Sequence, residues 1–186
     1  MFEIPDEVTF KGTDQKSKIL RTARLSVTAA GEALRNAGWS RAMMQEKRVG
    51  VCIGTTVGSA MNNEGFYREF SRGYHPKMTA ITRFLNSNPA QVIAKEFGLT
   101  GPCQTVVNAC SSGTDAIGIG ASWIRSGICD AVVAGGADEL CRVTYNGFIS
   151  LMIADDAICR PFDAHRKGLN LGEGAAVLVL ESEAFC

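Results

Sequence analysis

Residues 106–113 run Val106-Val107-Asn108-Ala109-Cys110-Ser111-Ser112-Gly113, and the reading of the fold turns on this stretch. The segment Gln104 to Asn108 suits a strand, and Ser111 to Ser126, with Ile117, Trp123 and Ile124 among its apolar positions and Gly127 behind it, suits a helix. Cys110 then falls where a strand gives way to a helix. The first N–H groups of a helix have no intrahelical partner and the positive end of its dipole lies there, so a thiol so placed is shifted toward thiolate. The same N–H groups suit the oxyanion formed when such a sulfur attacks a thioester carbonyl. Ser111, Ser112 and Gly113 are small and leave room beside the sulfur for an acyl chain or a pantetheine arm. Most cysteines in an apolar chain are buried structural residues. That reading is kept for Cys52, Cys103, Cys129, Cys141, Cys159 and Cys186, while the strand-turn-helix setting marks Cys110 as a candidate nucleophile.

Working outward, strands and helices alternate. From Asp14 to Ala37 the residues Leu20, Ala23, Val27, Ala30, Leu34 and Ala37 recur at helical spacing, with Asp14 as N-cap and Gly38 past the end. Arg48 to Gly54 is a short β-branched run closed by glycine, which suits a buried strand. Asn88-Pro89-Ala90-Gln91 offers an N-cap, a proline at the first helical position and a capping-box glutamine, and Gly98 stops that helix. Ala131 to Ala134 and Ala175 to Leu180 are further apolar runs of strand length. The order predicts an α/β domain, a mostly parallel sheet with helices on both faces, and places binding and catalysis where strands end and helices begin.

Composition narrows the function classes. The 186 residues are 46% apolar with 20 glycines, which argues against disorder and for one domain with a full core. Nineteen Lys+Arg balance 19 Asp+Glu, so no surplus exists to neutralise a nucleic-acid backbone. The longest apolar runs, such as Ala131-Val132-Val133-Ala134, fall far short of the roughly 20 residues that cross a bilayer. Met1-Phe2-Glu3-Ile4-Pro5-Asp6-Glu7 is acidic and unlike a signal peptide, so a cytoplasmic location is expected. The cysteines number seven, no pair has CxxC spacing and the chain has 2 histidines, so neither a disulfide framework nor a metal site is expected.

Asn108-Ala109-Cys110-Ser111-Ser112-Gly113 resembles the active-site motif of β-ketoacyl synthases, members of the thiolase-like superfamily. Ala134-Gly135-Gly136-Ala137-Asp138 resembles the strand end that follows it there, and Arg160-Pro161-Phe162-Asp163-Ala164-His165-Arg166-Lys167-Gly168-Leu169-Asn170-Leu171-Gly172-Glu173-Gly174-Ala175 resembles the family's RPFDxxRxGxxxGEGA segment. The motifs stand in the family's order and context, and the likeness covers nearly the whole chain. It implies a thiolase-like half-domain over residues 1–186, with the family's first strand expected before Met1 and a second half-domain, carrying the two catalytic histidines, expected after Cys186. His75 and His165 match neither histidine motif.

The resemblance implies an acyltransferase in fatty acid or polyketide biosynthesis. Cys110 is acylated, and the enolate of decarboxylated malonyl-acyl carrier protein then attacks the acyl group in a Claisen condensation. No cofactor or metal is implied, since the phosphopantetheine arm belongs to the carrier protein. The implied partners are acyl carrier protein, acyl and malonyl thioesters, and a second copy of the chain paired along the strand Gln104 to Asn108. Phe148 matches a phenylalanine beside the family's extender pocket, with core packing an equal account of it. Lys11, Lys16, Lys18 and Arg21 stand where the family has a basic patch for the carrier protein, while Leu151-Met152-Ile153 is apolar where relatives often carry an arginine. Asn108, Asp163 and Glu173 are read as structural, the two carboxylates tying down backbone N–H groups or an arginine such as Arg160 or Arg166. Rival readings are a non-decarboxylating thiolase-like acyltransferase, which the RPFD and GEGA segments oppose, and a non-catalytic partner subunit, which the presence of Cys110 opposes.

Overall fold

A computed structural model of the chain describes residues 3–5 and 19–183. The central sheet has 4 strands: β1 (Val49–Gly54), β2 (Cys103–Val106), β3 (Ala131–Asp138) and β4 (Gly174–Glu181), in the spatial order β2-β1-β3-β4. β1 runs parallel to β2 and to β3, and β4 pairs antiparallel with β3. Helices α1 (Arg21–Asn36) and α5 (Pro89–Phe97) cover one face and α6 (Ser112–Arg125) covers the other. The expected mixed, mostly parallel sheet with helices on both faces is what forms.

Alternation along β1 explains the two cores. Every β1 residue is buried, because the strand is central and both faces are covered. Val49, Val51 and Ile53 face α1 and α5, joining Val27, Ala30, Leu34, Ile93 and Val133. Cys52 faces α6 with Ala116, Val132 and Ala134. Fully burying a valine or isoleucine side chain contributes about 1.5–3 kcal/mol, so this strand anchors the domain.

The chain departs from the sequence-based expectation at several element ends. α1 begins at Arg21 rather than Asp14, which itself lies outside the described residues. No local side chain caps it; the Leu20 N–H donates to Ser87 Oγ at 2.9 Å and the Thr22 N–H to Glu139 Oε2 at 2.9 Å. Those acceptors come from distant segments, which a local capping rule cannot see. β2 stops at Val106 because the ladder with β1 ends there, closed by the Thr55 N–H donating to the Val106 carbonyl. β3 continues through Gly135-Gly136 to Asp138, four residues past the apolar run. A Cβ at Gly135 would lie 2.1 Å from the Ala176 carbonyl oxygen, so glycine is what allows the pairing with β4 to continue.

The short helices α2 (Arg41–Glu46), α3 (Glu64–Ser71), α4 (Thr79–Leu85) and α7 (Arg142–Ser150) have no counterpart in the sequence reading. α3, α4 and α7 contain no buried residue; α3 does carry an apolar stripe, Phe66, Tyr67 and Phe70, but leaves Tyr67 and Phe70 exposed. Around the α5 start the reading holds: Asn88 Oδ1 accepts the Gln91 N–H at 3.1 Å, Pro89 opens the helix and Gly98 closes it at φ +69°.

Candidate active site

The C-terminal ends of the parallel strands β1, β2 and β3 lie together, and α6 starts over them. That approach requires a missing Cβ on β1. An ideal Cβ at Gly54 would sit 2.2 Å from the backbone of Ser112, a distance no folded chain tolerates. Between β2 and α6 the chain makes a 3₁₀ turn, Ala109–Ser111, with the exposed Cys110 at its centre. Ala109 holds φ +48°, in the left-handed region that a residue with a Cβ avoids, at a cost of order 1–3 kcal/mol. Such strain persists only where the surroundings enforce it.

The enforcing contacts are visible. Ser112 Oγ accepts the Asn108 N–H at 2.7 Å and donates to the Ala109 carbonyl at 2.7 Å, tying the start of α6 to the strained residue. Asp115, one turn into α6, accepts Asn108 Nδ2 at 2.7 Å and Ser111 Oγ at 2.9 Å on the same oxygen, Oδ2. From the other side Asp138, at the end of β3, accepts Thr55 Oγ1 at 2.8 Å, the Thr56 N–H at 2.8 Å and Thr56 Oγ1 at 3.0 Å. Thr56 Oγ1 lies 3.5 Å from the Ala109 carbonyl, at the limit of a hydrogen bond. The Asn108 and Ser111 hydrogen bonds hold the Asp115 carboxyl below the usual carboxylate range.

Cys110 opens into a cleft of about 440 Å³ lined by Gly54, Thr56, Gly113, Gly136, Asp138 and Ala176 among others. Among the described residues Cys110 is the one thiol on its wall, and small residues make up most of the rest. A thiol at a helix start in a cleft of this kind can attack an acyl carbonyl and place the resulting oxyanion by backbone N–H groups. The other cysteines divide. Cys52, Cys129 and Cys141 are buried as expected, and burial pushes the Cys52 thiol up to about 11. Cys103 and Cys159 are exposed, a correction to their reading as buried thiols: Cys103 opens the edge strand β2 and Cys159 lies in the loop before β4. Cys186 lies outside the described residues.

Of the remaining expected site residues that the structure describes, Phe148 and Arg21 are not among those lining this cleft. Phe148 is half-buried on α7. Lys11, Lys16 and Lys18 lie outside the described residues. Arg21 turns inward, its Nε donating to Glu173 Oε2 at 2.9 Å. Glu173, whose side chain is 1% exposed, also accepts the N–H groups of Ile4 at 2.7 Å and Leu140 at 3.2 Å. The GEGA carboxylate is thus a tie, and Gly174, Ala175 and Ala176 after it reach the cleft wall. Asp163 likewise accepts the His165 N–H at 2.6 Å and pairs with Arg160. His75 and His165 are exposed and off the cleft. Among the described residues no group of His, Cys, Asp and Glu is placed to hold a metal, and no helix is long and apolar enough to cross a membrane.

Sequence reasoning missed Thr56, Asp115 and Asp138. Asp115 left a signal: it stands four residues after Ser111, a spacing that places both on one helix face. Asp138 closes the Ala134–Asp138 stretch singled out in the sequence, but its partner Thr56 lies 82 residues away and carries no local signal.

Comparison with known proteins agrees with this geometry. Residues 3–185 match the family described as Beta-ketoacyl synthase, N-terminal domain. A putative mitochondrial 3-oxoacyl-[acyl-carrier-protein] synthase of Schizosaccharomyces pombe is 37% identical over 171 residues, covering 85% of this chain and 40% of the relative. The ishigamide ketosynthase/chain length factor superposes with a TM-score of 0.85 at 29% identity, over 98% of this chain and 47% of that one. The ketosynthase solved as AntDE:AntF, a type II polyketide synthase acyl carrier protein in complex with its ketosynthase bound to the hexaketide, gives 0.75 at 26% identity, over 88% of this chain and 44% of that one. The chain spans less than half the length of these relatives. The match over residues 3–185, a span that includes the strained turn at Cys110 over the ends of the parallel strands, makes this chain a member of the β-ketoacyl synthase N-terminal domain family.

Proposed function

We propose that Cys110 is the acyl-accepting nucleophile of a β-ketoacyl-acyl carrier protein synthase acting in fatty acid or polyketide biosynthesis. The observation that carries the reading is the exposed Cys110 in its enforced 3₁₀ turn, at the start of α6 and on the wall of the cleft. The Cys110 thiolate attacks the carbonyl of an acyl thioester, the carrier thiolate leaves and takes a proton, and an acyl-cysteine remains. A malonyl thioester then loses carbon dioxide, and its enolate attacks the acyl carbonyl, releasing β-ketoacyl thioester and freeing Cys110. The names of the relatives support acyl carrier protein as the carrier of both thioesters. A homodimer paired along β2 is supported by the place of that strand at the sheet edge, with Val107 beyond it 66% exposed.

Incubation with an acyl thioester followed by peptide mass mapping tests the reading. The acyl mass is expected on the Cys110 peptide and is lost in Cys110→Ala. Acylation elsewhere, or undiminished acylation of the variant, overturns it.

A further inference from the structure

We infer that Asp115 is a positioning residue for the acyl-accepting turn, acting on Cys110 through Asn108 and Ser111; this rests on the reading of Cys110 as nucleophile. Asn108 lies two residues before Cys110 and Ser111 directly after it, and both side chains end on the same Asp115 oxygen, at 2.7 and 2.9 Å. A carboxylate only accepts hydrogen bonds, so it fixes the Asn108 amide with its NH₂ inward and the Ser111 hydroxyl with its hydrogen toward α6. The Asn108 carbonyl, 3.0 Å from Ser111 Oγ, is the other acceptor within reach of that single hydroxyl hydrogen, and it competes with Asp115 for it.

Position within α6 makes Asp115 suited to this task. It sits in the first turn of the helix, where a negative charge is favoured by the dipole, and that helix is seated on the sheet through Ala116 and Gly120, both buried. The turn is thereby referenced to a helix seated on the sheet. Ser112 holds the backbone at Ala109, and Asp115 holds the side chains on either side of the sulfur. Without Asp115, the strain at Ala109, φ +48°, has a route to relax, and the sulfur leaves its attack position. A displacement of the reacting atom by about 1 Å can cost up to a hundredfold in rate.

The test measures acyl transfer to Cys110 from an acyl thioester and, in parallel, iodoacetamide labelling of Cys110 relative to the exposed Cys103 and Cys159, in the chain and its variants. Asp115→Ala is expected to slow acyl transfer about tenfold or more while lowering the melting temperature only slightly, and Asp115→Asn, which keeps one acceptor oxygen, to restore part of the rate. In an Asn108→Ala/Ser111→Ala background, Asp115→Ala is expected to add nothing, because its partners are gone. An additive loss there, or wild-type acylation in Asp115→Ala, overturns the inference. Should Asp115→Ala fail to fold, Asn108→Ala/Ser111→Ala in the folded protein decides, with wild-type acylation counting against it. If the wild-type chain labels with iodoacetamide at Cys110 but takes no acyl group, the nucleophile reading falls instead. The same non-additivity in the labelling ratio then decides the role of Asp115.

Discussion

Cys52 and Cys110 lie at the two extremes that one sheet offers a thiol. Cys52 is in the middle of β1, wholly inaccessible, with its thiol pushed up to about 11 by burial. Cys110 is just past the end of β2, exposed, in a turn held by Ser112 and Asp115. Strand interiors spend backbone hydrogen bonds on their neighbours and side chains on packing. Strand ends release the backbone, and a helix starting there supplies unpaired N–H groups. The difference shows that place in the topology, rather than residue type, decides which thiol of this domain is accessible.

The sharpest way to break that contrast is to ask the junction for more than acyl transfer. Enolate formation from malonyl needs donors aimed at the thioester oxygen, and neither His75 nor His165 lies on the cleft. This chain is therefore expected to release no carbon dioxide above background from malonyl-acyl carrier protein, while a full-length synthase run alongside releases it. Release at comparable rates would place the decarboxylating groups within these residues and make both histidines the first to mutate.

A smaller effect links the two regions through Gly54, which closes the strand carrying Cys52 and supports the helix behind Cys110. Gly54→Ala drives a Cβ to within 2.2 Å of the Ser112 backbone. Overpacking of this kind costs about 3 kcal/mol. A lowered melting temperature together with loss of Cys110 acylation is expected, and a fully acylating, equally stable variant would show that α6 is not seated as described.

The smallest effect comes from the Glu173 tie behind the cleft. The hydrogen bond from Arg21, reinforced by the Ile4 and Leu140 N–H groups against the opposing effect of burial, holds the Glu173 carboxyl below its usual range. A lowered folded value contributes stability above the unfolded value of about 4.3, and that stability is lost as pH falls through the folded value. Thermal melts of Glu173→Gln are expected to show lower stability at neutral pH and a shallower decline below about pH 4.3. An unchanged acid limb would mean that the tie contributes nothing.

What the sequence made legible follows from range. The Asn88 cap, the Gly98 stop and the Cys110 junction are written in neighbouring residues, and each stands where it was read. The start of α1 was hidden because Ser87 and Glu139 supply its acceptors. Gly135-Gly136 read as a strand end, yet glycine is what lets β3 run on against β4. The Thr56–Asp138 contact joins two strand ends that only the folded sheet brings together. Arg21, read among basic residues for a carrier protein, turned inward because Glu173 waits 152 residues away.

The most direct test is a time course of iodoacetamide labelling of the folded chain at neutral pH, read cysteine by cysteine by peptide mass mapping. Cys110 is predicted to label first, ahead of the exposed Cys103 and Cys159, with Cys52, Cys129 and Cys141 silent until the chain unfolds. Labelling of Cys52 as fast as Cys110, or of Cys103 ahead of it, would contradict the assignment of the nucleophile.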